Sequence, residues 1–436
     1  MIRPSDLNIS LTQEQEEVLT GSKGKTIQKI METIVLYGEA LNADRLVDLE
    51  GAGHFVIPWC NPGISPPIEM LEELVEAGLK TKFPFTLDPR PPLDFENLKL
   101  GIEIEERILE MFDQQDKYDK LMMQLGLRDS EAYTCNPCQP QVGNIPERDM
   151  AVAWSESACV IYANSVLGAR TNRNGAIMDL LLNIVGIAPL AGLLTDEGRR
   201  ADWHIEIKIE EPPNPQILGT TIGKKILAGV PYITGLHRTF SGRTEDWILD
   251  YLREMSAVIA TYSAVDLFHV ENITPEAVDF GRKLIGEGYQ TYCIDEEELD
   301  SVLNSFPILW DDRKAKPEMA YIGCPHLSLR QLNWWAEKIN EKLDEHGKER
   351  LEVATFLFAP PKVLDQFKES EDLYKKLLIV GVCFSPTCCE TIFESGLLSG
   401  KPIVTNSVKL QAYTSARYLP DESLLDVLIS GEIGDS

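Results

Sequence analysis

Positive charge and histidine are scarce in this chain. It contains 41 lysine and arginine residues against 69 aspartate and glutamate residues, which gives a formal net charge of −28, and it has 6 histidines. Proteins that bind nucleic acid or an anionic membrane face need basic surfaces. The charge therefore predicts no nucleic acid and no membrane among the partners, and an anionic substrate would need a local basic pocket.

Long apolar runs and an export signal are also missing from the sequence. No stretch reaches the roughly 18 apolar residues of a membrane span, and residues 1–10 are polar. The chain has 9 cysteines. An odd number of thiols without an export signal indicates a reducing compartment, in which thiols serve as ligands or core residues. We therefore expect a cytoplasmic protein.

The alternation of predicted elements indicates the fold class. With 436 residues, 44% of them hydrophobic, the chain is long enough for two or three domains. Helical periodicity alternates with strand-like runs in the second half. The predicted strands there are residues 204–209, 264–270, 289–294, 319–322, 351–358, 377–383 and 402–406. Such alternation is typical of α/β layers with largely parallel sheets.

Ligand sites in parallel sheets lie beyond the carboxyl ends of the strands. The predicted strands place Cys324, Cys383 and Asn406 at such ends. We expect a mixed helical and α/β region over residues 1–130. An α/β domain is expected over residues 131–314, and a second α/β domain over residues 315–436.

The polar segment at residues 154–173 carries the clearest chemical signal. Glu156 lies between Ser155 and Ser157 and is a candidate proton-transfer group. Arg170 and Arg173 offer planar guanidinium forks that match a carboxylate or a phosphate. A capped helix start on the surface is the alternative interpretation, because serine before glutamate also caps helices.

Cysteine spacing alone allows more than one interpretation. Cys135 and Cys138 form a C-x-x-C pair in a Pro-rich loop, which could be half of a zinc site or a redox pair. A second pair with suitable spacing and a histidine partner is missing from the sequence, which disfavours a structural zinc ion. Adjacent Cys388 and Cys389 cannot easily direct both thiols at one metal ion.

The central segment, Trp154 to Ser157 with Tyr162 to Arg173, resembles the signature of aconitase X, a family of hydro-lyases in the aconitase superfamily. Shorter matches run in the same order along nearly the whole chain. They are residues 11–12, 21–24, 34–39, 86–89, 134–137, 267–270, 274–277, 323–326 and 405–409. The resemblance implies a dehydratase activity and an aconitase-like multi-layer α/β/α fold with largely parallel sheets.

The resemblance also implies an iron–sulfur cluster, with 4Fe-4S expected over 2Fe-2S. A cluster held by three thiolates keeps one iron open to bind the departing hydroxyl as a Lewis acid. Cys135 of Thr-Cys-Asn-Pro and Cys324 of Gly-Cys-Pro-His match two ligands of the family. The third ligand usually sits in an Asp-Thr-Cys run. Cys383, preceded here by Gly-Val, is expected in its place, with Cys388 as the other candidate.

The same resemblance implies roles for the remaining polar residues. The expected catalytic set is Ser155, Glu156, Ser157, His54, Ser407 and Lys409. The expected substrate-binding set is Asn164, Ser165, Arg170, Thr171, Asn172, Arg173 and Asn406. A serine near a basic group could remove the proton next to the leaving hydroxyl, and His54 and His326 are expected to be supporting or acid groups.

Aconitases close their site with a swivelling domain, which aconitase X enzymes carry either fused or as a small subunit. The sequence after the 405–409 motif is short and acidic, so the resemblance implies a small swivel-domain partner subunit. Known substrates in the family are 5-phosphomevalonate and cis-3-hydroxy-L-proline, which implies a small anionic hydroxy acid. The alternatives are a catalytically inactive binding protein that has lost its cluster, because Asp-Thr is absent before Cys383, and a zinc-dependent protein.

Overall fold

The computed structural model describes residues 3, 5, 7–56 and 65–434, and Cys60 lies outside these ranges. The N-terminal part is mostly helical. Its helices are Gln13–Leu19 (α1), Lys25–Ala40 (α2), Ser65–Glu76 (α3), Phe95–Leu98 (α4), Ile102–Met111 (α5), Gln115–Leu125 (α6), Ser157–Tyr162 (α7) and Ala176–Val185 (α8). Its strands are Leu46–Asp48 (β1), His54–Phe55 (β2), Thr86–Leu87 (β3) and Ile187–Pro189 (β4). Strand β1 pairs antiparallel with β4, and β2 pairs parallel with β3.

Apolar spacing explains how the N-terminal helices pack. In α2, Ile27, Ile30 and Ile34 recur at three- and four-residue intervals and are all buried. They belong to one hydrophobic cluster that extends from Ile9 to Leu194. This cluster continues past the domain boundary expected at residue 130, because α8 and β4 complete the core that the earlier helices begin.

A four-stranded parallel sheet follows. Its strands are Ala201–Ile207 (β5), Pro231–Thr234 (β6), His269–Val270 (β7) and Ile285–Ile294 (β8), in the order β7-β6-β5-β8. Its helices are Pro215–Lys225 (α9), Leu236–Thr239 (α10), Glu245–Tyr262 (α11), Pro275–Phe280 (α12) and Glu296–Asn304 (α13).

The last part of the chain forms a five-stranded parallel sheet. Its strands are Met319–Ile322 (β9), Ala354–Phe358 (β10), Val382–Ser385 (β11), Ile403–Thr405 (β12) and Arg417–Tyr418 (β13), in the order β11-β10-β9-β12-β13. Its helices are Leu329–His346 (α14), Pro361–Lys368 (α15), Glu371–Val380 (α16), Val408–Tyr413 (α17) and Asp421–Ser430 (α18). These two sheets confirm the predicted α/β class with largely parallel strands.

The predicted strand at residues 377–383 is wrong. Leu377 and Val380 are buried while Ile379 is exposed, which is the spacing of a helix, and these residues form the end of α16. Gly381 terminates that helix in the left-handed conformation, with φ of +105° and its N–H bonded to the carbonyl of Leu377. Strand β11 therefore ends at Ser385, and Cys383 lies inside the strand rather than at its carboxyl end.

No helix in the described part of the chain is both long and apolar enough to cross a membrane. The eight cysteines within the described ranges form no disulfide.

One buried ion pair ties the signature segment to the four-stranded sheet. Arg199 is 1% exposed, and its Nε and Nη2 groups donate to the two carboxylate oxygens of Glu276 at 2.8 Å each. Its Nη2 also donates to the main-chain carbonyl of Asn164 at 2.9 Å. Because both charges are buried, the pair specifies how these segments meet.

We predict that Arg199→Met lowers the free energy of unfolding by about 3 to 5 kcal/mol, because it leaves the Glu276 carboxylate buried without its partner. Urea denaturation measures the change. Arg282→Met is the control: Arg282 is 61% exposed in its pair with Glu271, so we expect a loss below about 1 kcal/mol. Equal losses in the two variants would contradict the prediction.

Candidate active site

Loops from distant parts of the chain bring four cysteines together. Cys324 follows β9, and Cys388 and Cys389 follow β11, at the carboxyl edge of the five-stranded sheet. Cys135 comes from the loop after α6. The thiols of Cys324 and Cys389 are hydrogen-bonded, and Cys135 and Cys388 are both electrostatic partners of Cys324. We call these four residues the thiol site.

His326 connects the cysteine loops to one another through hydrogen bonds. Its Nε2 group donates to the carbonyl of Thr387 at 3.1 Å, and its Nδ1 accepts from the hydroxyl of Thr134 at 3.2 Å. Its main-chain N–H points to the sulfur of Cys135 at 3.2 Å, and its carbonyl accepts from Asn136. Burial lowers the pKa of His326 to about 4. The ring is therefore neutral at pH 7, which favours the supporting role over the acid role among the two that the sequence left open.

A partly buried ion pair joins the thiol site to the signature segment. Lys409 Nζ lies 3.1 Å from Glu156 Oε1, and Glu156 Oε2 accepts from the Cys159 N–H at 2.6 Å. Burial raises the pKa of Glu156, but the charge of Lys409 and the Cys159 N–H hold it at about 2. Burial lowers the pKa of Lys409, but Glu156 and Cys324 raise it well above its usual value. Both groups therefore stay charged around neutral pH.

Both interpretations of the Glu156 segment hold in part. Glu156 is the N-cap of α7, as the capped-helix interpretation requires, but its second oxygen faces Lys409. The Ser157 hydroxyl lies 3.5 Å from that same oxygen. The Ser155 hydroxyl accepts from the main-chain N–H of Val56 and is 4% exposed, so Ser155 attaches the segment to the end of β2.

The loop between β12 and α17 places side chains both at the thiol site and in a neighbouring cleft. Ser407 caps α17 by accepting from the Leu410 N–H at 3.1 Å, and its hydroxyl also hydrogen-bonds to Cys324. Asn406 turns away from the thiol site and donates to Asp421 at 2.9 Å. The structure therefore brings Ser407 and Lys409 to the thiols, while Asn406 lines a neighbouring cleft.

A second pair consists of the buried His54 and the partly buried Asp88. His54 Nε2 lies 3.5 Å from Asp88 Oδ1, and His54 Nδ1 lies 2.9 Å from the Thr86 hydroxyl. That hydroxyl accepts from Asn144, so its own proton is available to Nδ1, which favours a ring protonated on Nε2 facing Asp88. Burial, and in addition the charge of Glu156, raise the pKa of Asp88 to about 6 against the lowering effect of His54.

Asp88 is the site residue that the sequence analysis missed. It lies in the 86–89 match to the family, but no role was assigned to it. Its position directly after β3 is the signal that could have identified it, because polar groups at the ends of parallel strands commonly form sites. Its Oδ1 atom is buried without a hydrogen bond in the described structure.

Cys383 is not part of the thiol site. Its position inside β11, opposite Phe356, separates it from the strand end, and its thiol has Lys99 and Asp94 as electrostatic partners. Cys383 as the third ligand therefore stays a prediction, and its place inside the strand favours the other candidate, Cys388. Cys388, which follows Thr387, and Cys389 lie beside Cys324.

The second half of the signature makes hydrogen bonds within the protein, and its expected role in substrate binding stays a prediction. Asn164 is fully buried; its amide nitrogen donates to the carbonyls of Thr171 and Asp266, and its oxygen accepts from the Thr171 N–H. The Ser165 hydroxyl accepts from the N–H of Phe268. The Thr171 hydroxyl donates to the carbonyl of Asn172. These groups hold the chain in place rather than facing the thiols.

The remaining residues of the expected substrate-binding set also have partners within the protein. The Asn172 amide donates to the carbonyl of Ala191 at 2.9 Å. Arg170 forms ion pairs with Asp149 and Asp196, at 3.2 and 2.7 Å. Arg173 lies 3.2 Å from an oxygen of Asp266. The arginine forks thus bind carboxylates of the protein itself, which local sequence could not show because these partners come from other segments.

The donor set of the thiol site suits an iron–sulfur cluster better than a single ion. No three His, Cys, Asp or Glu side chains within the described ranges are grouped closely enough to hold one metal ion. A cluster binds each thiolate through a different iron atom, so the thiolates need not converge on one point. The thiol site offers only sulfur ligands, and the partly buried ammonium of Lys409 lies beside Cys324 and Cys135.

Comparison with known proteins identifies the family. The aconitase X first-domain model matches residues 8–197, and the second-domain model matches residues 197–304. The phosphomevalonate dehydratase large subunit of Thermococcus kodakarensis is 33% identical over 352 residues, which cover 80% of this chain and 81% of that protein. The chain belongs to the aconitase X family.

Other aconitase X relatives agree with this assignment. The phosphomevalonate dehydratase large subunit of Methanothermobacter thermautotrophicus is 31% identical and covers 74% of this chain, with 75% of that protein matched. The cis-3-hydroxy-L-proline dehydratase of Pseudomonas aeruginosa is 25% identical over 91% of this chain and 65% of that protein. Because both kinds of relative are dehydratases, the predicted hydro-lyase class is confirmed.

A solved structure confirms the predicted fold. The crystal structure of Thermococcus kodakaraensis aconitase X in its holo form matches with a TM-score of 0.79 and 28% sequence identity. The match covers 97% of this chain and 100% of that chain.

We predict that Asp88→Asn stabilises the protein at neutral pH. The folded pKa of about 6 exceeds the ordinary value of 3.8, so ionising Asp88 costs stability as the pH rises between these values. Removing the charge should add about 1 to 3 kcal/mol near pH 8 and almost nothing near pH 4, as measured by urea denaturation at several pH values.

Asp129→Asn provides a control of opposite sign. Burial raises the pKa of Asp129, but its hydrogen bond with Lys362 lowers it overall, so this variant should lose stability near pH 8. A gain for Asp88→Asn that is the same near pH 4 and near pH 8 would contradict the assigned pKa.

Proposed function

We propose that this chain is the large subunit of a dehydratase that removes water from a small anionic hydroxy acid with the help of an iron–sulfur cluster. The observation that carries the proposal is the meeting of the thiol site with the partly buried Lys409–Glu156 pair. The sulfur ligands, the positive charge and a carboxyl group that titrates near neutrality all lie within one interior region.

The cluster ligands in this proposal are Cys135, Cys324 and one of the adjacent thiols, Cys388 or Cys389. A cluster bound there, 4Fe-4S rather than 2Fe-2S, would supply a Lewis acid for the departing hydroxyl. Ser407 supports this arrangement through its hydrogen bond to Cys324. Its place at the thiol makes Ser407, a member of the expected catalytic set, a positioning residue in this proposal.

Lys409 and Glu156 act as a charged pair. Glu156, with a pKa of about 2, is a poor base at neutral pH, and its role is to hold the ammonium of Lys409 in place. The ammonium then offers a fixed positive contact for a carboxylate or phosphate of the substrate, in a site where little water weakens the attraction.

His54 and Asp88 carry the proton transfer. Dehydration requires a proton to leave one carbon while hydroxide leaves its neighbour, and a group with a pKa near the working pH handles protons best. The pKa of Asp88, about 6, meets this condition. In this proposal the Asp88 carboxylate accepts the proton that leaves the substrate carbon, while the Nε2–H group of His54, which is oriented by Thr86, holds that carboxylate in place.

The relatives support the substrate class. The large subunits that are 33% and 31% identical act on phosphomevalonate by name, while the hydroxyproline dehydratases are 25% identical. We therefore propose a substrate of the 5-phosphomevalonate type, with cis-3-hydroxy-L-proline as the second compound to test.

A small partner subunit completes the proposed enzyme. The archaeal relatives are named large subunits, which implies a separate small subunit for them. We propose that this chain likewise pairs with a small swivel-domain subunit as a heterodimer. We place the enzyme in the cytoplasm, where a reducing environment would keep the thiols of the site available as ligands.

Anaerobic co-expression with the small subunit, followed by iron and sulfide quantification, tests the cluster. We predict that Cys135→Ser and Cys324→Ser lose most of the bound iron and the dehydratase activity, because each removes a ligand. Cys388→Ser and Cys389→Ser should differ from each other, since only one of these thiols is needed. Cys383→Ser is the control and should retain both iron and activity.

Two results would contradict this ligand assignment. One is loss of iron in Cys383→Ser but not in Cys324→Ser. The other is wild-type protein that contains no iron or sulfide when prepared without oxygen, which would favour the inactive binding protein instead.

We predict that Lys409→Met lowers kcat by about 10²-fold or more, because it removes the fixed positive charge of the site. Lys409→Arg should recover part of the loss, and exposed Lys401→Met is the matched control with unchanged kcat. Circular dichroism checks that each variant is folded. A folded Lys409→Met enzyme with normal kcat would remove Lys409 from the mechanism.

A further inference from the structure

A cleft of about 330 Å³ lies on the far side of the 405–409 loop from the thiol site. The N-terminal ends of α9, α11, α14 and α18 surround it, so the carboxyl edges of the two large parallel sheets both open toward it. Crevices at such edges are the usual ligand sites of α/β proteins, and the volume is in the range of small-molecule pockets. The mechanism proposed above does not use this cleft.

Two arginines in the cleft have N–H groups that the protein does not use. Arg330 is fixed through its Nε, which donates to Asp250 at 2.5 Å, while its terminal nitrogens hydrogen-bond to no other described residue. Arg243 lies over the ring of Trp247, 4.8 Å from its centre, and forms no ion pair within the described ranges. Guanidinium groups held in this way are suited to binding a carboxylate or a phosphate through paired N–H groups.

The carboxyl groups of the cleft oppose an anion only weakly. Glu254 accepts from the amides of Gln216 and Gln331. Burial, and then the charge of Asp421, raise the pKa of Glu254 to about 8, so this group is largely neutral at pH 7. Asp421 accepts from the amide of Asn406, which spreads part of its charge.

A buried hydroxyl in the cleft wall also has no partner. Tyr251 is 3% exposed, and its oxygen makes no hydrogen bond with any described residue. A buried hydroxyl left in this state costs free energy, which a polar ligand or a bound water would recover. This observation is independent of the two arginines and points to the same cleft.

We propose that this cleft is a binding site for a small molecule that carries a phosphate or carboxylate, held by Arg243 and Arg330. The site adjoins the catalytic loop directly. Gln216, in the cleft wall, accepts from the main-chain N–H of Val408, and Asn406 is held from the cleft by Asp421. An anion bound here therefore contacts the same loop that carries Lys409 to the thiol site.

Isothermal titration of the full chain with inorganic phosphate tests the binding site. Arg243→Gln and Arg330→Gln should each weaken phosphate binding about tenfold or more, because each removes charged hydrogen bonds. Arg238→Gln is the matched control: Arg238 is exposed, close in sequence and outside the cleft lining, so its variant should bind as the wild type does.

Arg243→Gln keeps the test decisive even if Arg330→Gln disturbs folding. Arg243 is an exposed residue that supports no ion pair in the described structure, so its replacement should leave the fold intact. The proposal is overturned if the wild-type chain binds neither inorganic phosphate nor 5-phosphomevalonate, or if folded Arg243→Gln binds phosphate as tightly as the wild type.

A second measurement identifies the source of the anion, and this part rests on the proposed function. If the cleft holds the phosphate of the substrate itself, inorganic phosphate should compete with 5-phosphomevalonate, and Arg243→Gln should raise KM with kcat unchanged. If it holds a separate effector, phosphate should change kcat without competing. Because titration requires no turnover, failure of the dehydratase assay would not affect the binding result.

Discussion

The buried, neutral ring of His326 is the contact on which the candidate active site depends. It joins the loop of Cys135, the loop of Cys324 and the segment before Cys388 through Thr134, its own backbone and Thr387. Each loop belongs to a different part of the sequence and has no local reason to approach the others. The imidazole accepts a hydrogen bond from a hydroxyl on one side and donates one to a carbonyl on the other. Burial keeps the ring uncharged, so both hydrogen bonds persist at neutral pH.

The Lys409–Glu156 pair extends this arrangement to the signature segment. Its charges are oppositely signed and each keeps the other ionised, and loss of Lys409 would leave the buried carboxylate of Glu156 without its partner. Between these two contacts the protein can hold an ammonium, sulfur ligands and the titrating Asp88 close together. A dehydratase needs such a combination, since charge must be stabilised and a proton moved within one site.

The signature segment has a double role in this aconitase X protein. Its first part supplies Glu156 to the site, while its second part uses the Asn164 amide and the Arg170 guanidinium to hold neighbouring segments. Replacing a polar side chain that binds the protein's own buried backbone costs stability, because its partner is left without a hydrogen bond. Some polar groups in this segment therefore hold the fold together and others lie in the candidate site, and the local sequence does not distinguish these two roles.

The sequence by itself determined the α/β class, the family and the dehydratase class, because strand and helix periodicity and the central motif are local patterns. It also identified Cys135, Cys324, Glu156 and Lys409 as candidates. Only the tertiary structure decided which groups meet. Gly381 ends α16 and places Cys383 inside β11, Asp149 and Asp196 pair with Arg170, and the end of β3 brings Asp88 to His54. These outcomes depend on partners far away in sequence, and long-range packing, not local propensity, determines such partners.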